Sequence, residues 1–152
     1  RYGDHEVDGS TVSKPTVISF YVSRALAGEA LTVYEPGTQA RNFVHVKDVA
    51  RVYVRSNERL LKQLERDVTG TETYEIASNK YLSVMDVAEI VCGATDDLRD
   101  TDIDIELIEN PRSDETMVEM FSVDISEARK MLGWEPAEGV ETSIRRLLKR
   151  NN

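Results

Sequence analysis

The stretch Gly37–Ala50, "GTQARNFVHVKDVA", contains a turn, an alternating segment and the start of a helix in quick succession. Pro36 and Gly37 predict the turn, "NFVHV" reads as a strand, and Asp48 is expected to cap the helix. Arg41 stands out, because the chain has 28 acidic residues against 19 basic ones. A guanidinium is a planar fork that matches two phosphate oxygens, so Arg41 could hold a diphosphate; the alternative is an ion pair with one of the acids.

The composition indicates a soluble protein with one domain. The chain has 152 residues, of which 40% are hydrophobic and 31% charged, and no apolar run is long enough for a membrane span. The formal net charge of -9 argues against a nucleic acid or an anionic membrane as partner. We expect a cytoplasmic location, and the acidic composition is compatible with a high-salt cytoplasm. The single cysteine, Cys92, lies in the apolar run "VAEIVCGA" and is predicted to be a buried structural thiol, with a reactive thiol as the alternative.

Apolar periodicity and turn residues predict a mixed α/β order. Residues 1–15 read as a loop. Helices are predicted over 16–27, 49–64 and 139–150, together with one that begins at Ser83 and uses Asp86 in a capping box. A further short helix is predicted to open at Asp124 or Ser126 and to end at Leu132. Strands are predicted at 31–34, at "NFVHV", at "TYEIAS" (73–78) and, as a half-solvated edge strand, in the acidic segment that follows "VAEIVCGA". We interpret the acidic cluster there as a solvated face rather than a cation site.

The residues alone predict no complete active site. The only histidines are His5 and His45, and the motifs HExxH, GxSxG and the P-loop are absent. A glycine-rich dinucleotide turn is also absent, and no tyrosine is followed by a lysine four residues later. His45 is predicted to be a packed or hydrogen-bonded structural residue. A second candidate phosphate ligand is Arg112, in "NPRSDE", for which an ion pair is again the alternative.

Several segments together resemble the extended short-chain dehydrogenases that act on nucleotide sugars, the NAD-dependent epimerases and dehydratases. The segments are "ALAGEALTVYEPGTQARNFVHVKDVARVYV", "YEIASNKYLSVMDVAEIV", "SVDISEARKMLGWEP" and the pair Tyr2-Gly3. The resemblance implies an α/β fold: a small mixed α/β substrate-binding domain with a partial Rossmann-fold remnant. Residues 1–152 would form one C-terminal substrate-binding region. The NAD-binding Rossmann domain would lie upstream, so NAD would bind there and not to this chain.

The resemblance also implies site residues. Arg41 corresponds to the arginine that grips the nucleotide diphosphate, with the aromatic Phe43 beside it. The other implied contacts are Thr32 and Tyr34 to the base, Arg112 to phosphate, and Glu115 to the ribose hydroxyls. Tyr34 could equally belong to the core, and Asp114 is an alternative to Glu115. The family's asparagine on the first helix is replaced here by residues 17–20, "VISF".

The leading interpretation is the nucleotide-sugar-binding portion of an enzyme similar to UDP-glucose 4-epimerase. Such an enzyme oxidises the sugar with NAD and then epimerises, dehydrates or decarboxylates it, and this chain alone is expected to be inactive. The alternative is a free-standing, non-catalytic binding module. Because segments 49–64 and 73–77 complete the Rossmann sheet in the family, we also expect exposed apolar surface there, with self-association or weak amide protection. The sugar, the base and the net reaction are not assigned by the sequence.

Overall fold

Helices and short strands alternate along the part of the chain that the computed structural model describes, residues 4–13, 16–111 and 122–150. The helices are α1 (Val17–Leu26), α2 (Val46–Leu64), α3 (Val84–Arg99), α4 (Ser126–Leu132) and α5 (Val140–Arg150). The strands are β1 (Asp4–Val7), β2 (Ser10–Ser13), β3 (Leu31–Tyr34), β4 (Ala40–Asn42), β5 (Tyr81–Ser83) and β6 (Ile105–Ile108). The predicted mixed α/β class is confirmed.

The strands form three separate pairs. β1 and β2 are antiparallel neighbours, and β4 and β5 are antiparallel with Arg41 opposite Leu82. β3 and β6 run parallel, with Leu31 opposite Ile105. The parallel pair joins segments that are far apart in the sequence, because α2 and α3 both lie between them.

The main hydrophobic cluster lies between α1, β3, α3 and α5. Its buried members include Leu31, Val87, Val91, Ile144 and Leu148. Along β3 the alternation is regular, since Leu31 and Val33 are buried whereas Thr32 is half-buried and Tyr34 exposed. This cluster supports one face of the segment that carries β4, because Phe43 and Leu82 pack against it.

A second, smaller cluster surrounds Trp134. Its other buried members are Ala77, Ile125, Ala128 and Leu132, and the partly buried Val52, Tyr74 and Ile76 pack against it. It therefore joins α4 to the 74–77 segment and to one side of α2.

α2 is largely unsupported by the rest of the described chain. Asp48 is its only buried residue, although the helix is strongly amphipathic. Its exposed apolar residues are Val46, Tyr53, Val54, Leu60, Leu61 and Leu64, and we call them the α2 apolar face. The expected exposed apolar surface is therefore confirmed for Tyr53 and Leu60, but it is wrong for the 74–77 segment, which packs against the Trp134 cluster. No helix in the described part of the chain is both long and apolar enough to cross a membrane.

Two sequence-based predictions about strands were wrong. Residues 4–13, predicted to be a loop, form the β1–β2 hairpin, in which Asp8 and Gly9 both have positive φ. An Asp-Gly pair is the usual sequence of such a tight hairpin turn. "TYEIAS" forms no strand, and β5 lies a few residues later. Tyr74 and Ile76 instead pack on the Trp134 cluster, because a strand also needs a neighbouring strand to bond its backbone.

The helix boundaries follow local capping. Ser83 accepts a hydrogen bond from the amide of Asp86, whose carboxylate accepts one from Ser83, so the predicted capping box is confirmed. The predicted Asp48 cap is wrong: α2 begins earlier, and the Nδ1 of His45 accepts from the amide of Lys47. β4 accordingly ends at Asn42, and the predicted strand "NFVHV" is cut short by the helix.

Candidate functional site

A tightly packed turn at Gly37 precedes β4, the strand on which Arg41 lies. Gly37 has a φ of 75°, and a Cβ at this position would lie 3.0 Å from the Cγ1 of Val33. The amide of Met85 donates to the carbonyl of Gly37 over 3.1 Å, and the amide of Val84 donates to the carbonyl of Gln39 over 3.1 Å. Because the turn is bonded to the start of α3, the path of the chain into β4 is fixed before it reaches Arg41.

The Arg41 side chain is exposed and makes only local contacts among the residues described. Its Nη1 donates to the carbonyl of Ala40 over 3.1 Å, and its Nη2 lies 3.4 Å from the Oε1 of Gln39. Within the described residues the guanidinium has no carboxylate partner, so the ion-pair alternative finds no support there. Such a guanidinium retains donors for an anionic ligand.

Asn42, the residue after Arg41, ties β4 to the loop before β5. Its Nδ2 donates to the carbonyl of Ser78 over 3.0 Å, and its Oδ1 accepts from the amide of Ser78 over 2.7 Å. The hydroxyl of Tyr81, the residue opposite Asn42 on β5, accepts from the amide of Val123 over 2.7 Å. The neighbourhood of Arg41 is therefore held by several segments that are distant in sequence.

Phe43 lies beside two adjoining cavities. It is half-buried against the main hydrophobic cluster. One cavity, of about 370 Å³, also involves the 78–80 loop, Leu82, Ile90 and the 136–142 segment. The other, of about 230 Å³, involves Thr16, Ile18, Asn42 and His45, and shares Phe43, Glu138 and Val140 with the first. Phe43 follows the end of β4, so it does not extend a strand face shared with Arg41 as the alternating pattern had suggested.

The other predicted site residues belong to a different strand pair from Arg41 or lie outside the described chain. Thr32 and Tyr34 are on the outer side of β3, which pairs with β6, whereas Arg41 belongs to the β4–β5 pair. Tyr34 is 53% exposed, so the alternative that it belongs to the core is wrong. Arg112, Glu115 and the alternative Asp114 lie outside the described residues.

The sequence did not reveal the role of Asp48, which is fully buried. Its Oδ2 accepts from the amides of Ala137 and Glu138 over 3.1 and 3.0 Å, and its carbonyl accepts from the Nε1 of Trp134 over 2.9 Å. Its Oδ1 makes no hydrogen bond of good geometry within the described residues but lies 2.6 Å from the Nη1 of Arg51. The only sequence signal was its position near a helix start, which suggested a cap.

Cys92 is half-buried, whereas the sequence predicted a buried thiol, and His45 behaves as the sequence predicted. Burial raises the pKa of the Cys92 thiol, and the charges of Asp102 and Asp104 raise it further, which favours the unreactive thiol. His45 is a structural residue at the start of α2, where it accepts a backbone hydrogen bond. Among the described residues, no group of three or more histidine, cysteine or acidic side chains could hold a metal ion.

Sequence comparison relates the chain to enzymes that act on nucleotide sugars. Residues 1–77 match the NAD dependent epimerase/dehydratase family. The chain is 36% identical over 120 residues to UDP-glucuronic acid decarboxylase 6 of Arabidopsis thaliana, a match that covers 79% of this chain and 30% of that protein. It is 32% identical over 133 residues to dTDP-glucose 4,6-dehydratase of Escherichia coli, covering 84% of this chain and 34% of that protein. The chain thus spans about a third of the length of these curated relatives.

Solved structures show the same fold. The epimerase Mth375 from Methanothermobacter thermautotrophicus superposes with a TM-score of 0.67 at 20% identity, covering 99% of this chain and 41% of that one. UDP-glucose 4-epimerase from Thermotoga maritima, solved with UDP-glucose, gives a TM-score of 0.63 at 19% identity, covering 97% of this chain and 42% of that one. With the sequence match spanning half of its length, the chain belongs to the NAD dependent epimerase/dehydratase family.

Proposed function

We propose that this chain is the nucleotide-sugar-binding part of an NAD-dependent epimerase, dehydratase or decarboxylase. In this proposal residues 1–152 form one C-terminal substrate-binding region, and NAD is held by a Rossmann domain that precedes it. The cofactor would oxidise the sugar, and the residues of this chain would bind and orient the nucleotide. The chain alone would be inactive.

The observation that carries the proposal is the state of Arg41. It is an exposed guanidinium in an acidic chain, and no carboxylate among the described residues pairs with it. Its strand is held by hydrogen bonds to the start of α3 and to Ser78. Charge-assisted hydrogen bonds from such a fork are stronger than neutral ones and match the paired oxygens of a diphosphate. Arg112 would close on the same diphosphate, Glu115 would hold the ribose, and Thr32 and Tyr34 would meet the base.

The α2 apolar face supports the presence of a covering domain. Six large apolar side chains are exposed on this single helix, and a face of this kind usually marks an interaction surface. In the proposal the NAD-binding domain covers it. A free-standing module, the alternative, would leave these side chains exposed to water.

The test is Arg41→Ala in the complete reading frame that encodes this chain. Calorimetry with UDP and dTDP should show binding weakened about ten- to a hundredfold, because a charge-assisted hydrogen bond contributes about 1.5–3 kcal/mol. The matched control is Arg55→Ala, which removes an exposed arginine of α2 that pairs only with Glu58 among the described residues. This control should leave affinity unchanged.

Two results would contradict the proposal. One is a wild-type protein that binds neither nucleotide, and the other is an Arg41→Ala variant with wild-type affinity. A protein that binds the nucleotide but turns over no nucleotide sugar in the presence of NAD would favour the non-catalytic module instead.

A further inference from the structure

Asp48 is a buried charge that ligand binding, as proposed above, does not use. A buried carboxylate is costly unless it is paired and hydrogen-bonded. One segment, residues 134–138, supplies the long-range hydrogen bonds of Asp48: the amides of Ala137 and Glu138 donate to its carboxylate, and the indole of Trp134 donates to its backbone carbonyl. The charge is balanced by Arg51, whose Nη1 lies 2.6 Å from Oδ1.

Arg51 adds a second link between α2 and the same segment. Its Nη2 donates to the carbonyl of Glu135 over 2.8 Å, so two residues in the first turns of α2 hold consecutive points of the 134–138 segment. Trp134, at one end of that segment, belongs to the second hydrophobic cluster. Val140, just beyond the other end, begins α5 and packs against the main cluster. The Asp48–Arg51 pair therefore lies at the junction between the two clusters.

A short connection joins the strand of Arg41 to α2. β4 ends at Asn42 and α2 begins at Val46, so only residues 43–45 connect the two elements. β4 carries Arg41, and α2 carries the α2 apolar face. Beyond its first turns, Val52 alone among the apolar residues of α2 packs against a cluster, and Arg59 and Gln63 hydrogen-bond to Glu72 in the segment that follows the helix. The hydrogen bonds that join α2 to the 134–138 segment are those of its first turns.

We propose that Asp48 is a positioning residue that fixes the direction of α2 relative to the Arg41 strand. It does so by holding the 134–138 segment against the start of the helix. The inference rests on the proposed function, in which α2 meets the NAD-binding domain and Arg41 holds the nucleotide. Asp48 would then set where the cofactor stands relative to the bound sugar, without touching either one.

The physical reason is the sensitivity of hydride transfer to alignment. A misplacement of about 1 Å caused by a distant mutation can lower a rate about a hundredfold. Diphosphate binding depends on Arg41 and the β4–β5 pair, which a small rotation of α2 leaves in place. Loss of Asp48 should therefore lower kcat more than it weakens binding.

The first experiment uses the complete reading frame and the variant Asp48→Asn. We expect kcat to fall about ten- to a hundredfold while the Kd for UDP stays that of the wild type. Arg51→Ala, a milder change at a half-exposed residue, should lower kcat in the same direction and keeps the test open should Asp48→Asn not fold. The matched control is Asp96→Asn, which changes an exposed aspartate farther along α3.

The second experiment needs no activity. Trp134 is the only tryptophan of the chain, so its fluorescence reports on the junction alone. In the chain itself, Asp48→Asn and Arg51→Ala should shift its emission to longer wavelength and speed hydrogen exchange at the amides of Ala137 and Glu138. Asp96→Asn should change neither.

The outcomes separate the two proposals. If the wild-type protein binds no nucleotide, the proposed function fails, and the Trp134 emission still shows whether Asp48 holds the segment. An unchanged emission in both Asp48→Asn and Arg51→Ala would overturn the inference. So would a fall in kcat matched by an equal weakening of UDP binding, because that pattern indicates general structural damage rather than misalignment.

Discussion

Asn42 and Ser78 exchange two hydrogen bonds, with the side-chain amide of Asn42 paired to the backbone amide and carbonyl of Ser78. The pair imitates a step of a strand ladder, but it is made by a side chain. It continues the β4–β5 pairing beyond the end of β5, where Asn42 faces Tyr81. Asn42, the residue after Arg41, is therefore held both by Ser78 and by its pairing with Tyr81.

Asn42→Ala should destabilise the chain, because it removes the hydrogen-bond partners of the backbone N–H and the backbone carbonyl of Ser78. We expect the free energy of unfolding to fall by about 1–3 kcal/mol, measured by urea denaturation. Asn42→Asp keeps the acceptor but sets a carboxylate oxygen against the carbonyl of Ser78, so it should also destabilise the chain. The exposed neighbour Asn79→Ala is the control. Equal stability of Asn42→Ala and wild type would show that the pair is not maintained in solution.

Arg41→Ala should leave stability unchanged to within about 0.5 kcal/mol, as is usual for surface substitutions away from special features. Among the described residues its side chain reaches only the neighbouring Ala40 and Gln39. Thermal unfolding of the chain measures this directly. A clear loss of stability would instead support the ion pair that the sequence left as the alternative.

Glu72 should make stability depend on pH. Hydrogen bonds from Arg59 and then from Tyr74 lower the pKa of its carboxyl from 4.5 to about 2. A carboxyl with a lowered pKa in the folded state stabilises the protein above its unfolded pKa and loses that contribution as the pH falls. The stability advantage of wild type over Glu72→Gln should therefore be complete at neutral pH and shrink between pH 4.5 and about 2. An advantage that does not change with pH would show that Glu72 is not ionically paired.

The α2 apolar face should make the chain self-associate. Tyr53, Leu60 and Leu64 lie on one side of the helix and are exposed. Replacing the three with glutamine should give a monomer at concentrations where the wild type sediments as larger species, whereas Lys62→Gln on the other side should not. A wild-type chain that stays monomeric and exchanges its amides slowly throughout 49–77 would contradict this prediction.

Local rules predicted the parts of the fold that depend on local contacts. The capping box of Ser83 and Asp86 satisfies backbone groups within one turn, so the start of α3 was visible in the sequence. β3 was found with its observed limits, because its two buried residues alternate with more exposed ones. The family resemblance supplied the proposed role of Arg41, which residue type alone could not separate from that of an ion-paired surface arginine.

The misses arose where distant segments decide the outcome. "TYEIAS" has a strand composition, but the described chain supplies no neighbouring strand for it. Aspartate is a common helix cap, but the hydrogen-bond partners of the Asp48 carboxylate are Ala137 and Glu138, 89 and 90 positions later in the sequence. No local pattern can reveal such a partner, and the same limit applies to the pairing of Asn42 with Ser78.

The parallel pairing of β3 with β6 has a consequence for the order in which the chain acquires its structure. Leu31 cannot meet Ile105 until α2, α3 and the loops between them have been drawn into a closed loop, and closing a long loop is entropically costly. Parallel pairs of this kind form slowly, whereas helices such as α3 form from neighbouring residues. We therefore expect α3 to be helical before the two strands meet, and the outer side of β3, with Thr32 and Tyr34, to be among the last surfaces completed.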